Sequence, residues 1–343
     1  MVTIYISLII ESIILFIASK VIPLRKLFPI ILMITFALVL GCRHNVGVDY
    51  PTYEAMYYNE AHAGRKSLEP IWISIYDILN YFNFKSRIFF LLTSFIIVGG
   101  YYRGFKLMSP NIYLSFIIFI ACGLYGWSGN AVRQCCAQAI LFAGTPFLLN
   151  RKWFHFILMA FLASMLHYSA IVGTVFMLLC IIRVPLWGLI SAVITTFVLG
   201  NAIMHIFADY MVVFSTAVNR YHYDLHTHDS GVSSGALRYA YNIIGAFILI
   251  FYNKIKLLNK NVYIYINLTI LGICWYNVFF MFMEINRLTN YCFPFITILL
   301  PYAIKLFKSG TKIMVAASIV ILMLLFVIKS DIETPYDFDL NLL

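Results

Sequence analysis

Apolar runs recur along the whole of this chain, and their length constrains its fold more than any other feature. A helix needs about 17–25 apolar residues to cross a bilayer. Runs close to that length fall near residues 2–19, 27–42, 87–102, 111–126, 132–149, 186–205, 237–253, 262–283, 288–304 and 313–329. Hydrophobic residues fill 62% of the 343 positions and charged residues only 11%, more apolar surface than a soluble domain of this size could bury. A transmembrane β-barrel would instead show short alternating segments. The sequence therefore predicts an all-α fold, a polytopic helical integral membrane protein with about 10–12 membrane segments. These form a single transmembrane domain over residues 1–343. The first run has no basic start and no small-residue cleavage site, so it reads as a retained span.

One stretch departs from the simple pattern. Residues 153–182 are 30 mostly apolar positions, about 45 Å of helix against about 30 Å of hydrocarbon. Arg151 and Lys152 precede the stretch and Arg183 follows it. Both ends then belong in the cytoplasm, which predicts a pair of short half-spans turning near Leu166-His167-Tyr168.

The other charges agree with that orientation. Fourteen of the 24 basic residues, ten of them lysine, fall at span ends where none of the 14 acidic residues occurs. The positive-inside rule makes those ends cytoplasmic. The opposite side carries 13 acidic residues and the other ten basic ones. Seven of these are arginine: Arg43, Arg65, Arg87, Arg133, Arg220, Arg238 and Arg287. Arginine offers a permanently charged planar fork suited to phosphate, so the outer side points to a polar, anionic substrate. Two long loops lie there, near 43–86 and 205–236, and the first holds the amphipathic stretch Ile71–Phe84, expected along the interface. The net charge of +10 is thus a topology signal, and no nucleic-acid partner is implied. The seven cysteines lie in or beside apolar runs without metal-ligand spacing, which reads as core packing.

Polar groups gather at the predicted outer ends. Gly41-Cys-Arg-His-Asn-Val-Gly-Val-Asp-Tyr-Pro-Thr-Tyr53 closes the second run. Arg43 reads as a phosphate ligand or as an interfacial cap. Asp49 positions a sugar or starts the turn before Pro51. Tyr50 and Tyr53 stack on a sugar or sit as belt aromatics. Arg133, Gln134 and Gln138 open the fifth run, where polar side chains in lipid are expensive and first-turn N–H groups favour an anion. His167 has the chemistry of a general base and equally that of a hydrogen-bonded turn. Glu284 is a base or the ion-pair partner of Arg287, and Tyr291, four residues past Arg287, is expected on the same helix face. In the second long loop, Arg220 with His222, Asp224, His226 and His228 reads as a substrate-contacting lid rather than a zinc site, which needs a rigid frame. Arg238, at the next helix start, reads as part of the same wall.

Taken in order, these islands resemble the EpsG/Wzy-type polysaccharide polymerases of bacterial envelopes. The resemblance rests on Arg43–Tyr53, Glu69-Pro70, Asn130-Ala-Val-Arg-Gln134, His167-Tyr-Ser-Ala170, Asn286-Arg-Leu288 and Pro335-Tyr336, and it covers nearly the whole chain. It implies a glycosyltransferase that moves a growing glycan from undecaprenyl pyrophosphate onto the next lipid-linked repeat unit. Donor and acceptor are both undecaprenyl-pyrophosphate-linked oligosaccharides, met in the lipid bilayer at the outer face of the bacterial inner membrane. A chain-length regulator fits as a protein partner. In that frame Arg43, Arg133 and Arg287 hold the pyrophosphate, and His167, Asp49 or Glu284 takes the acceptor proton. No carboxylate pair has metal-binding spacing, so neither an obligatory divalent metal nor another cofactor is expected. Two other readings compete, a membrane O-acyltransferase of envelope sugars and a lipid-linked oligosaccharide flippase. The first wants a cytoplasmic route for the acyl donor, and that side carries almost no candidate catalytic groups. The second wants a polar path and often inverted repeats, and the sequence carries neither.

Overall fold

The computed structural model describes residues 2–22, 26–60, 64, 68–214, 233–331 and 337–338. The chain divides into two compact units, between Val175 and Phe176 and again between Lys329 and Ser330.

The first unit begins with α1 (Val2–Val21), α2 (Phe28–Gly41) and the two-residue strand β1 (Arg43–His44). Two loop helices follow, α3 (Tyr50–Tyr57) and α4 (Pro70–Tyr81). Then come α5 (Ser86–Met108), α6 (Ile112–Ala121), α7 (Val132–Leu149) and α8 (Trp153–Leu166). Strand β2 (Asp337–Phe338) returns from the far end of the chain and pairs antiparallel with β1, Arg43 opposite Phe338 and His44 opposite Asp337.

Small residues let these helices approach closely, as membrane interiors favour. The Ser94 hydroxyl of α5 donates to the Ala37 carbonyl of α2 at 2.7 Å. A Cβ on Gly100 of α5 would lie 2.7 Å from the Ala139 carbonyl oxygen of α7, so only glycine permits the contact. Farther along both helices, Arg103 Nε donates to the Ala143 carbonyl at 3.3 Å. Helices α5 and α7 therefore run parallel, while the register of α2 on α5 and of α8 on α7 is antiparallel. One end of the unit thus gathers the C-terminus of α2, the N-termini of α5 and α7, and the C-terminus of α8.

Helix α4 has the amphipathic form expected of Ile71–Phe84. Trp72 and Tyr76, one turn apart, are buried against Phe89, with ring centroids at 5.8 Å and 4.9 Å. Ile78 and Tyr81 face outward, 57% and 81% exposed.

The second unit contains α10 (Leu186–Phe214), α11 (Ser233–Ile250), α12 (Tyr252–Leu258), α13 (Val262–Phe279), a 3-10 turn over Arg287–Tyr291, α14 (Ile296–Lys305) and most of α15 (Ser309–Asp331). Helix α9 (Ala170–Leu179) contains the first division. Helix α13 is the centre of its unit, packing against α10, α11 and α14.

The protein is all-α and polytopic. Among the described residues six helices are long and apolar enough to cross a membrane: α1, α5, α7, α13, and the spans Leu186–Ile206 and Ser309–Val327 within α10 and α15. Five shorter apolar helices accompany them: α2, α6, α8, α9 and Phe293–Lys305. The expected straight span 237–253 is instead bent by 69°, as the pair Leu237–Ile250 and Tyr252–Leu258. The bend falls where Asn253, Lys254 and Lys256 turn outward while Tyr252 and Ile255 stay buried, so the helix changes direction where charge begins. Stretch 153–182 breaks at His167-Tyr168-Ser169 into α8 and α9, about 21 Å and 15 Å long. Each is short of the roughly 30 Å hydrocarbon thickness. The cysteines are all free thiols, and six of the seven are buried, as their apolar neighbourhoods predicted.

Candidate active site

The Arg43 island is laced to the start of α7. Arg43 is 2% exposed. Its Nη1 donates to the Leu40 carbonyl at 2.5 Å, its Nε to Val46 at 3.3 Å and its Nη2 to Gly129 at 3.0 Å. The guanidinium also lies over the Phe90 ring, 4.9 Å from its centroid. Leu40 is in the last turn of α2, where carbonyls lack partners within the helix, so an arginine there completes the helix end. Gly47 follows at φ +102°, and a Cβ on it would meet Asn130 Oδ1 at 2.6 Å. That oxygen accepts the Val48 N–H at 2.8 Å. Arg43, expected to hold pyrophosphate, is thus committed to backbone carbonyls from two segments.

The tyrosines of this island do not form an open sugar platform. Tyr50 is stacked on Phe90, with centroids 4.3 Å apart and planes at 13°, and is buried. Tyr53 is buried beside Phe89, and its hydroxyl hydrogen-bonds the side chain and backbone of Arg133. Burial pushes the Tyr53 phenol up, Arg133 opposes the shift, and the Asp49 carboxylate adds to it. Asp49 occupies the N-cap position of α3 without a side-chain capping bond and is half-buried.

Arg133 is the second residue of α7, and its partner is Glu69. Nη1 of Arg133 donates to Glu69 Oε2 at 2.5 Å, with side chains 22% and 5% exposed. Glu69 lies just before Pro70, the first residue of α4, in the extended conformation that a following proline favours (φ −60°, ψ 138°). Arg133 Nε is buried without a hydrogen-bond partner among the described residues. Gln134 is buried beside it, and one turn on, Gln138 Nε2 donates to the Tyr101 hydroxyl at 2.5 Å. Glu69 was legible in the sequence only as part of the Glu69-Pro70 pair. A half-buried arginine at a helix start asks for a counter-ion, but nothing along the chain says which carboxylate supplies it.

His167 ends α8 at the same end of the unit. The carbonyl of its neighbour Leu166 accepts the Trp72 indole N–H at 2.7 Å, tying α8 to α4. His167 Nδ1 accepts the Ser169 backbone N–H at 3.2 Å, and Ser169 Oγ lies 2.7 Å from it. A backbone N–H can only donate, so Nδ1 faces Ser169 as an acceptor. The nitrogen expected to act as base is therefore engaged within its own turn.

In the second unit Arg238 belongs to a polar knot between three helices. It donates Nη2 to the Phe197 carbonyl of α10 and Nε to Asn277 Oδ1 of α13 at 3.4 Å. It also lies over the rings of Phe197 and Phe280, at 4.9 Å and 4.7 Å. Asn277, fully buried, exchanges bonds with Asn242 at 2.6 Å and 3.1 Å and donates to Thr196 at 3.3 Å. Arg238 thus joins helices, whereas the sequence suggested a substrate wall. Arg287 and Tyr291 do not share a face as an α-helix would give. They lie in a 3-10 turn, where i and i+3 eclipse and i+4 points elsewhere; Arg287 is half-buried and Tyr291 is buried. The Asn286 side chain hydrogen-bonds Tyr276. Glu284 lies in the short helix Met283–Asn286, but its side chain, together with Arg220 and the histidines at 222, 226 and 228, falls outside the described residues.

Fold and site together define a polytopic helical membrane protein in which a half-buried arginine pairs with a buried carboxylate where four of its helices end. The EpsG family model matches residues 26–338, and the chain belongs to that family. Membership carries a polysaccharide-polymerase-type role. No match was found among curated proteins or solved structures. Four of the six islands that suggested the family, around Arg43, Glu69, Arg133 and His167, lie together in the first unit.

Proposed function

We propose that this protein is a lipid-linked oligosaccharide glycosyltransferase. It transfers the growing glycan from undecaprenyl pyrophosphate onto the next lipid-linked repeat unit, at the outer face of the bacterial inner membrane. The observation that carries this reading is the Arg133–Glu69 pair, in a chain of the EpsG family. Arg133 lies in the first turn of α7, so its guanidinium and the positive end of the helix dipole favour the same guest, a phosphate group. Such donors stabilise the charge that develops on the leaving pyrophosphate. Direct displacement inverts the anomeric centre. Arg43 serves this site by holding the loop beside it.

The orientation rests on the charge count. Pairing of β1 with β2 supports it, because residues 43 and 337 then lie on one side, as the positive-inside assignment requires.

Arg133→Lys tests the reading. It keeps a positive charge beside Glu69 but loses the planar fork. Cells carrying it are expected to display single repeat units at the surface, with the protein at its normal level. Normal-length polymer on a gel would overturn the assignment. Deleting the whole chain separates the competing readings, since a flippase defect traps units inside and an acyltransferase defect leaves polymer length intact.

A further inference from the structure

Glu69 is a buried carboxylate that meets Arg133 through one oxygen. Oε2 accepts from Arg133, and the side chain is 5% exposed. On the other half of the pair, Arg133 Nε is buried without an acceptor among the described residues. A buried donor without a partner is costly. A hydroxyl beside the pair would accept from Nε and donate to the carboxylate. Of the other described candidates for proton transfer, His167 is engaged at Nδ1 by Ser169.

We infer that Glu69 is the catalytic base of the transfer, receiving the proton of the attacking sugar hydroxyl on Oε1. The inference rests on the glycosyltransferase reading above. The acceptor oxygen forms the new bond to the anomeric carbon of the donor. The bond from that carbon to the phosphate oxygen breaks, and its electron pair leaves on the lipid pyrophosphate. The hydroxyl proton passes to Glu69 and then to water. Pyrophosphate, the more highly charged anion, competes with Glu69 for Arg133, so binding of the donor also frees Oε2 for the acceptor.

Lipid-pyrophosphate-linked repeat units extracted from cells lacking the protein serve as both donor and acceptor, with the full chain purified into lipid nanodiscs. Glu69→Gln keeps an oxygen for Arg133 and removes the base. Its kcat is expected to fall at least about 100-fold with KM within about threefold, and the acid limb of the pH–rate profile to vanish. A wild-type kcat, or a change in KM alone, overturns the assignment and leaves the polymerase reading standing. Wild-type protein that elongates nothing overturns both. If Glu69→Gln does not accumulate, Glu69→Asp is measured. It keeps the charge for Arg133 but retracts the carboxylate by about 1 Å, and kcat should fall at least about tenfold. An unchanged kcat there overturns the base assignment.

Discussion

Trp72 donates its indole N–H to the Leu166 carbonyl across 2.7 Å, joining the helix that starts after Glu69 to the helix that ends before His167. Leu166 is the last residue of α8, so its carbonyl has no acceptor role within the helix. Trp72→Phe keeps an aromatic ring against Phe89 but strands that buried oxygen, which costs about 1–3 kcal/mol. Thermal unfolding in detergent should show a lower Tm; an unchanged Tm would remove this bond from the framework of the site.

Arg43 and Arg133 should fail in different ways. Arg43→Lys replaces a fork that reaches three carbonyls with a point charge that cannot span them. Losing one such charge-assisted bond removes about 1.5–3 kcal/mol, so less folded protein and a lower Tm are expected. Arg133→Lys should accumulate normally and lose elongation. An Arg43→Lys protein with wild-type Tm and no elongation would return Arg43 to the substrate.

Gly47 is required twice, by its φ of +102° and by Asn130 Oδ1, 2.6 Å from where a Cβ would sit. Gly47→Ala should destabilise the loop by about 1–3 kcal/mol and reduce elongation. Gly99→Ala is the control, because a Cβ there meets nothing within 4 Å. Equal behaviour of the two variants would refute the requirement.

Asn277 is the hub of the knot in the second unit. Asn277→Ala removes its bonds to Asn242 and Thr196 and the acceptor of Arg238, at about 0.5–1.5 kcal/mol for each net bond. The Tm should fall by several degrees, and a variant as stable as the parent would show that the knot contributes little.

Tyr57 gives an alkaline signature. Burial, with Tyr58 adding to it, pushes its phenol from 10.0 up to about 12, and its hydroxyl donates to the Phe84 carbonyl at 2.6 Å. The folded state therefore holds this proton more tightly than the unfolded chain. Its contribution is fully present below pH 10 and is lost as pH rises through about 12. Between those values Tm should fall less steeply in Tyr57→Phe than in the parent, and identical slopes would contradict the shift.

Much of the fold was legible because membrane helices obey one-dimensional rules. Run length located nearly all the apolar helices, and the flanking basic residues led to the break at His167, where α8 and α9 part. The bend after Ile250 was less legible, since the apolar run continues to Tyr252 and only the charges beyond it mark the turn. The 3-10 turn at Arg287 is not legible in the sequence, because residues four apart share a face at 3.6-residue spacing and the chain winds more tightly there. At the site, the sequence singled out Arg133 by its place at the start of an apolar helix, and the structure gave it Glu69.

By itself the sequence determined that this chain is a polytopic helical membrane protein and which segments bear its charged groups, because hydropathy and charge are carried by contiguous residues. Only the tertiary structure decided what Arg43 and Arg133 contact. Arg43 reaches a carbonyl 86 residues away and Arg133 a carboxylate 64 residues away. Identical side chains, one just past the C-terminus of α2 and one in the first turn of α7, acquire different partners because these depend on which distant segments the packing brings within hydrogen-bond reach.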